Sequence, residues 1–178
     1  MSLIDIELLE LLYTLIPVRT MVLKPIGEMP LLTSSIYKGS EVMISRWLAE
    51  ILEEENYVEI LDNTLTSQDL AKLRFMHTQQ RGRLLKLDEY FFTKARIAIE
   101  ALESEAKKVS DIVLLKSVER MKEDFTEIAN IRLSAILKAI QLKGVDTVEK
   151  ELSIEERVLI NRFRKILFCW LQKFVELR

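Results

Sequence analysis

The stretch Tyr37–Leu73, YKGSEVMISRWLAEILEEENYVEI-LDNT-LTSQDLAKL, joins two kinds of architecture. Before it lie all three prolines, Pro17, Pro25 and Pro30. After it come more than a hundred residues with no proline and only two glycines, Gly82 and Gly144. Proline and glycine punctuate turns and weaken helix interiors. A small turn-rich module therefore feeds a larger helical one. The expected fold is mainly α: a domain of four long helices in a bundle, about residues 63–178, preceded by a small β-rich α+β domain with an N-terminal helix, about residues 1–62.

Within the quoted stretch, Ser45 is placed to cap a helix running to about Glu55. Its positions Trp47, Leu48, Ile51 and Leu52 share one face. Tyr57–Leu61 alternates like a strand, and Glu41–Ile44 reads as another. Working back, Val18–Leu23 is β-branched and apolar between two prolines, so it reads as a strand. Gly27, Pro30 and Thr33-Ser34-Ser35 read as turns, with Ile36-Tyr37 a short strand before a turn at Lys38-Gly39-Ser40. Leu3–Leu15 reads as a short amphipathic helix ended by Pro17. Asp5, Glu7 and Glu10 interrupt it, and it has neither the basic start of a signal peptide nor the length of a spanning helix. Its expected role is to cap the small module's core.

Working forward, Thr66 and Asp69 fit a capping box, with Leu65 and Leu70 as hydrophobic staple. That helix is expected to reach about Arg81. Asp88 is the expected cap of the next helix, stapled by Leu87 and Phe92 and ending near Lys108. A long helix opens at Ser110 or Asp111. It carries Leu114, Val118, Met121, Phe125, Ile128, Ile136 and Ile140 at helical spacing, spans about 48 Å, and stops before Gly144. Ser153 and Glu156 form a second capping box for the last helix. There Leu159, Phe163, Ile166, Leu167, Trp170, Leu171 and Phe174 make one broad stripe, while Phe168 and Val175 lie nearly opposite. A helix apolar on more than one side is buried on more than one side. The stripe is read either as the centre of this chain's own bundle or as a seat for another subunit, where aromatic anchors dominate binding energy.

Composition narrows the function. The chain has 178 residues, 49% apolar and 30% charged, with 26 basic and 28 acidic residues for a net charge of -2. This argues against a general nucleic-acid binder. A lone cysteine, Cys169, leaves no intramolecular disulfide and fits a reducing, cytoplasmic setting. Catalytic, cofactor-binding and metal-ligating residues are all expected to be absent. His77 is the single histidine, read as solvent-facing or as a helix-end residue in a polar, basic helix, so no nucleophile has a histidine base beside it. Cys169 and His77 cannot make a four-ligand zinc site. The glycines are isolated and cradle no phosphate. Glu53-Glu54-Glu55 and Glu155-Glu156 read as solvated faces or caps. Lys72, Arg74, Arg81, Arg83 and Lys86 form a basic group that is either a contact patch for phosphate or an acidic partner, or an exposed face balanced by Asp69, Asp88 and Glu89.

Three stretches together carry a family likeness. They are YKGSEVMISRWLAEILEEENYVEI, then LTSQDLAKL with KLDEYFFTKARIAIEAL, then ERMKEDFTEIANIRLSAILKAI with LSIEERVLINRFRKIL. In this order they resemble the small B domain and the helical A domain of GINS subunits, components of the archaeal and eukaryotic replicative helicase assembly. Ile44-Ser45 stands where family members often place a proline. With the small domain first, the chain is similar to the archaeal members related to the second and third Psf subunits. The resemblance implies a non-catalytic scaffold in DNA replication, without cofactors, located at the nucleoid. It implies a complex of two copies of this chain with two of a sister GINS subunit, which bridges the MCM helicase and a RecJ-like partner and further reaches primase or polymerase. Leu159, Phe163, Ile166, Trp170 and Phe174 are then the expected subunit interface, and Trp47 and Leu48 the small domain's core or docking face. No membrane partner is implied, and direct DNA contact is left open. The competing expectation is a DNA-binding regulator in which ISRWLAEILEEENYVEI belongs to a winged helix, followed by helices for dimerisation. Its Ser45–Glu55 helix sets Arg46 against Glu50, Glu53, Glu54 and Glu55, a poor match to phosphate.

Overall fold

The structure, a computed structural model, describes residues 4–26, 37–62, 64–80, 84–141 and 148–175, with side chains from Glu7 onward. It is mainly helical with one small three-stranded antiparallel sheet. Two compact units divide the chain, Met1–Thr64 and Leu65–Arg178.

In the first unit, helix α1 (Ile4–Leu15) leads into strand β1 (Pro17–Val22). Strand β2 (Glu41–Ser45) runs directly into helix α2 (Arg46–Glu54), and strand β3 (Val58–Ile60) follows. The sheet order is β2-β1-β3, with Val18 opposite Ile44 and Val22 opposite Val58. Pro17 opens β1, a strand position that tolerates a missing N–H. Val18, Thr20 and Val22 alternate inward, as a two-residue period requires. Helix α2 covers this face, packing Leu48, Ala49 and Leu52 with Val18, Val22, Ile44 and Val58. The buried Thr20 hydroxyl donates to the Val42 carbonyl at 3.0 Å, so the core keeps no unpaired polar atom there. Helix α1 lies against α2 and buries Leu9 and Tyr13, one turn apart. The Arg46 guanidinium stacks 4.6 Å from the Tyr13 ring centroid.

Three expectations shift here. Ser45 holds the cap position of α2, but its side chain accepts no bond. Tyr37 is exposed and outside any strand, and Ile36 lies outside the described residues, as do the expected turns at Gly27, Pro30 and Thr33–Ser35. The buried side of α2 is Leu48-Ala49-Leu52, leaving Trp47 and Ile51 exposed. The sheet meets the helix one residue further round than the apolar spacing suggests, and alanine, neutral in that pattern, sits at the contact.

In the second unit, helices α3 (Ser67–Gln79) and α4 (Phe91–Val109) both lie against α5 (Ile112–Gln141). A short 3-10 turn at Glu149–Glu151 precedes α6 (Ile154–Phe174). At 30 residues α5 is about 45 Å long and forms the spine. The main core joins Leu70 of α3, Phe91, Ala95, Ala98, Ile99 and Ala106 of α4, and Val118, Met121 and Ile128 of α5. Small residues on α4 let the helices approach closely. Phe91, Phe92 and Phe125 pack edge-on and tilted at centroid separations of 5.3 to 6.3 Å. Leu84, Ile136, Leu152 and Ile160 form a second cluster. The Thr66–Asp69 and Ser153–Glu156 capping boxes both form. Gly82, Leu142 and Gly144 lie outside the described residues.

The start of α4 departs from expectation. Asp88 is exposed and sits 3.7 Å from Lys94, three residues before the first helical residue. Tyr90 takes the cap position in the left-handed region at φ 55°, with no side-chain cap of its own. The helix end is satisfied from a distance. The Glu155 Oε1 atom accepts bonds from the Thr93 N–H at 3.0 Å and the Thr93 hydroxyl at 2.9 Å. A carboxylate at a helix N-terminus is also favoured by the helix dipole. A local motif cannot reveal a cap supplied 62 residues downstream.

Candidate interaction surface

Helix α6 is anchored by its first turns. Glu156, the third residue of the helix, accepts Arg132 Nε at 2.6 Å and Arg132 Nη2 at 2.7 Å, and closes back on the Ser153 N–H at 3.0 Å. Arg132 also donates to the Leu85 carbonyl at 2.7 Å and the Glu151 carbonyl at 2.9 Å. The pair is fully enclosed, with side-chain exposures of 0% and 4%. One guanidinium thus ties α5 to the segment before α4 and to the entry of α6. Arginine suits this because its planar fork serves several acceptors at once. Ile160 completes the anchor among Leu84, Ile136 and Leu152.

After Ile160 the helix leaves the rest of its unit. Every residue from Asn161 to Val175 is exposed. At about 100° per residue, Leu159, Phe163, Ile166, Leu167, Trp170, Leu171 and Phe174 share one broad face. Phe163 is 40% exposed, Ile166 and Trp170 52%, and Phe174 65%, whereas the core residues of the chain are exposed by 0–9%. The Trp170 and Phe174 rings rest 6.0 Å apart on this face. Phe168 and Val175 lie off this face, beyond its Leu171 side, and are equally uncovered. A lone helix of this length is marginal in water, and the contiguous uncovered stripe makes α6 the candidate contact surface. The five residues read from sequence as an interface therefore lie on one continuous surface.

The small unit offers a lesser surface. Trp47 is 39% exposed beside exposed Ile51, whereas Leu48 belongs to the core. Arg74 is held at 3.1 Å by Asp124 and at 3.4 Å by Glu127. Lys72 and Lys86 are exposed, and Arg81 and Arg83 lie outside the described residues.

One acid–base reading is corrected. His77 lies in the last turn of α3, at the helix end, but is buried at 1% exposure and not solvent-facing. Among the described residues neither ring nitrogen has a hydrogen-bond partner, and burial, with the nearby Arg132 charge adding to it, lowers its pKa from 6.5 to about 4. It is a neutral packing residue at ordinary pH. Glu155 and Glu156 are likewise structural, one capping α4 and the other paired with Arg132. On the surface, bonds from Lys107 and then Lys122 hold the Glu103 carboxyl down to about 2. Arg132 was missed by sequence reasoning, yet a signal was present. Ile128, Arg132 and Ile136 follow one another at four-residue steps, so an arginine occupies a core register. Among the described residues no group of histidine, cysteine, aspartate and glutamate could hold a metal ion, and no helix is long and apolar enough to cross a membrane.

Compared with known proteins, the chain matches no family model and no curated protein.

Proposed function

We propose that the chain is a non-catalytic subunit of a GINS complex, a scaffold that bridges the MCM helicase and a RecJ-like partner during DNA replication, with primase or polymerase as further contacts. The observation that carries this reading is α6, anchored through Ile160 and then wholly exposed while presenting seven large apolar side chains. A surface of that kind belongs to a permanent assembly, whose interfaces bury about 2,000 Å² or more. The order of a small sheet-bearing unit before a helical unit supports the same reading. In the assembly, α6 acts as the fourth long helix beside α3, α4 and α5, its distal half packing in a bundle completed by the sister subunit. The proposed complex holds two copies of each chain and works in the cytoplasm, at the nucleoid.

Co-expression with candidate sister subunits from the same genome tests this. Mass by light scattering is expected to give two copies of each chain, and Phe163→Asp or Trp170→Asp to break the complex. A chain that ignores every sister subunit and stays alone would overturn the reading.

A further inference from the structure

Between Ile160 and Glu176 the sequence places Arg162, Arg164, Lys165 and Lys173 and no acidic residue. At about 100° per residue, these charges fall in definite places around the apolar stripe. Arg162 and Lys173 lie along one edge, Arg164 along the other, and Lys165 on the back. Each is exposed. The stripe is therefore bordered by positive charge on both sides.

This pattern discriminates between occupants. A second copy of α6, laid parallel or antiparallel, brings a basic edge against a basic edge. Charges in these flanking positions set partner choice and orientation in paired helices, and like charges there oppose pairing. An apolar helix bordered by Asp or Glu meets the same stripe with attraction at both edges. Resting on the reading of α6 as an interface helix, we infer that its occupant is an amphipathic helix of a different chain, edged with acidic residues on both sides of its apolar stripe. The aromatic side chains supply affinity, and the basic borders reject self-pairing, which is how specificity differs from affinity.

The test uses the full chain and two labelled synthetic peptides of about three heptads with the same leucine stripe. One carries glutamate along both edges and the other lysine. Fluorescence anisotropy is expected to show the glutamate peptide binding about tenfold or more tightly, since a few edge contacts of about 0.5 kcal/mol each sum to that factor. The preference should shrink as salt rises, Phe163→Asp should abolish binding, and the chain alone should sediment as a monomer. Equal binding of the two peptides, binding of neither, or self-association of the chain that Phe163→Asp removes would each overturn the inference. Co-expression can fail to yield a GINS complex while the glutamate peptide still binds, and can succeed while the peptides are not distinguished, so the two readings fail separately.

Discussion

Replacing Glu156 with alanine would strand the Arg132 guanidinium in the interior. The wild-type pair is 0% and 4% exposed, with contacts of 2.6 and 2.7 Å. After substitution Arg132 keeps only the Leu85 and Glu151 carbonyls, and the Ser153 N–H loses its acceptor. Breaking one side of a buried pair costs about 3–5 kcal/mol, because the remaining charge stays out of water unpaired. With a urea dependence of about 2 kcal/mol per molar, a loss of about 4 kcal/mol lowers the unfolding midpoint by about 2 M. Far-UV circular dichroism follows this well, since the longest helices all belong to the affected unit. The double variant Arg132→Met, Glu156→Leu removes both charges. It should fall between wild type and Glu156→Ala, because the apolar pair is tolerated while two carbonyls lose a donor. A midpoint change below about 0.5 M for Glu156→Ala, against the shift expected from pair breakage, would refute this account. So would a double variant less stable than the single one.

His77 makes stability depend on pH. Its folded pKa lies near 4, below the unfolded 6.5, so the unfolded chain takes up the proton first. The contribution is complete above pH 6.5 and is lost as pH falls towards 4. His77→Leu should flatten the urea midpoint over that window; an unchanged slope would contradict the assignment. Glu155→Ala removes the remote cap of α4 and should cost about 1–2 kcal/mol, read as a loss of amide exchange protection centred on Thr93. Protection unchanged at Thr93 would mean that the carboxylate is dispensable. Phe163→Asp and Trp170→Asp change exposed positions, so the unfolding midpoint of the lone chain should move by no more than about 0.5 kcal/mol in equivalent stability. A larger loss would place these residues in the chain's own core.

What the sequence determined by itself was local and periodic. Thr66–Asp69 and Ser153–Glu156 mark two helix starts because a capping box needs residues only three apart. Val118, Met121 and Ile128 reach the core because their spacing already places them on one face of α5. The stripe of α6 could be read for the same reason, since helical spacing alone aligns Leu159, Phe163, Ile166, Trp170 and Phe174. Whether that stripe is covered was open, because a pattern states which side chains share a face and not what lies opposite. Only the tertiary structure decided that α6 docks through Ile160 and presents the rest. It also decided that Asp88 caps nothing, that His77 is inside, and that Arg132 joins three segments. Each of these turns on groups distant in sequence, and burial and charge pairing depend on distance in space. Glu155 meets Thr93 across 62 positions and Arg132 meets Glu156 across 24, separations that no local propensity encodes.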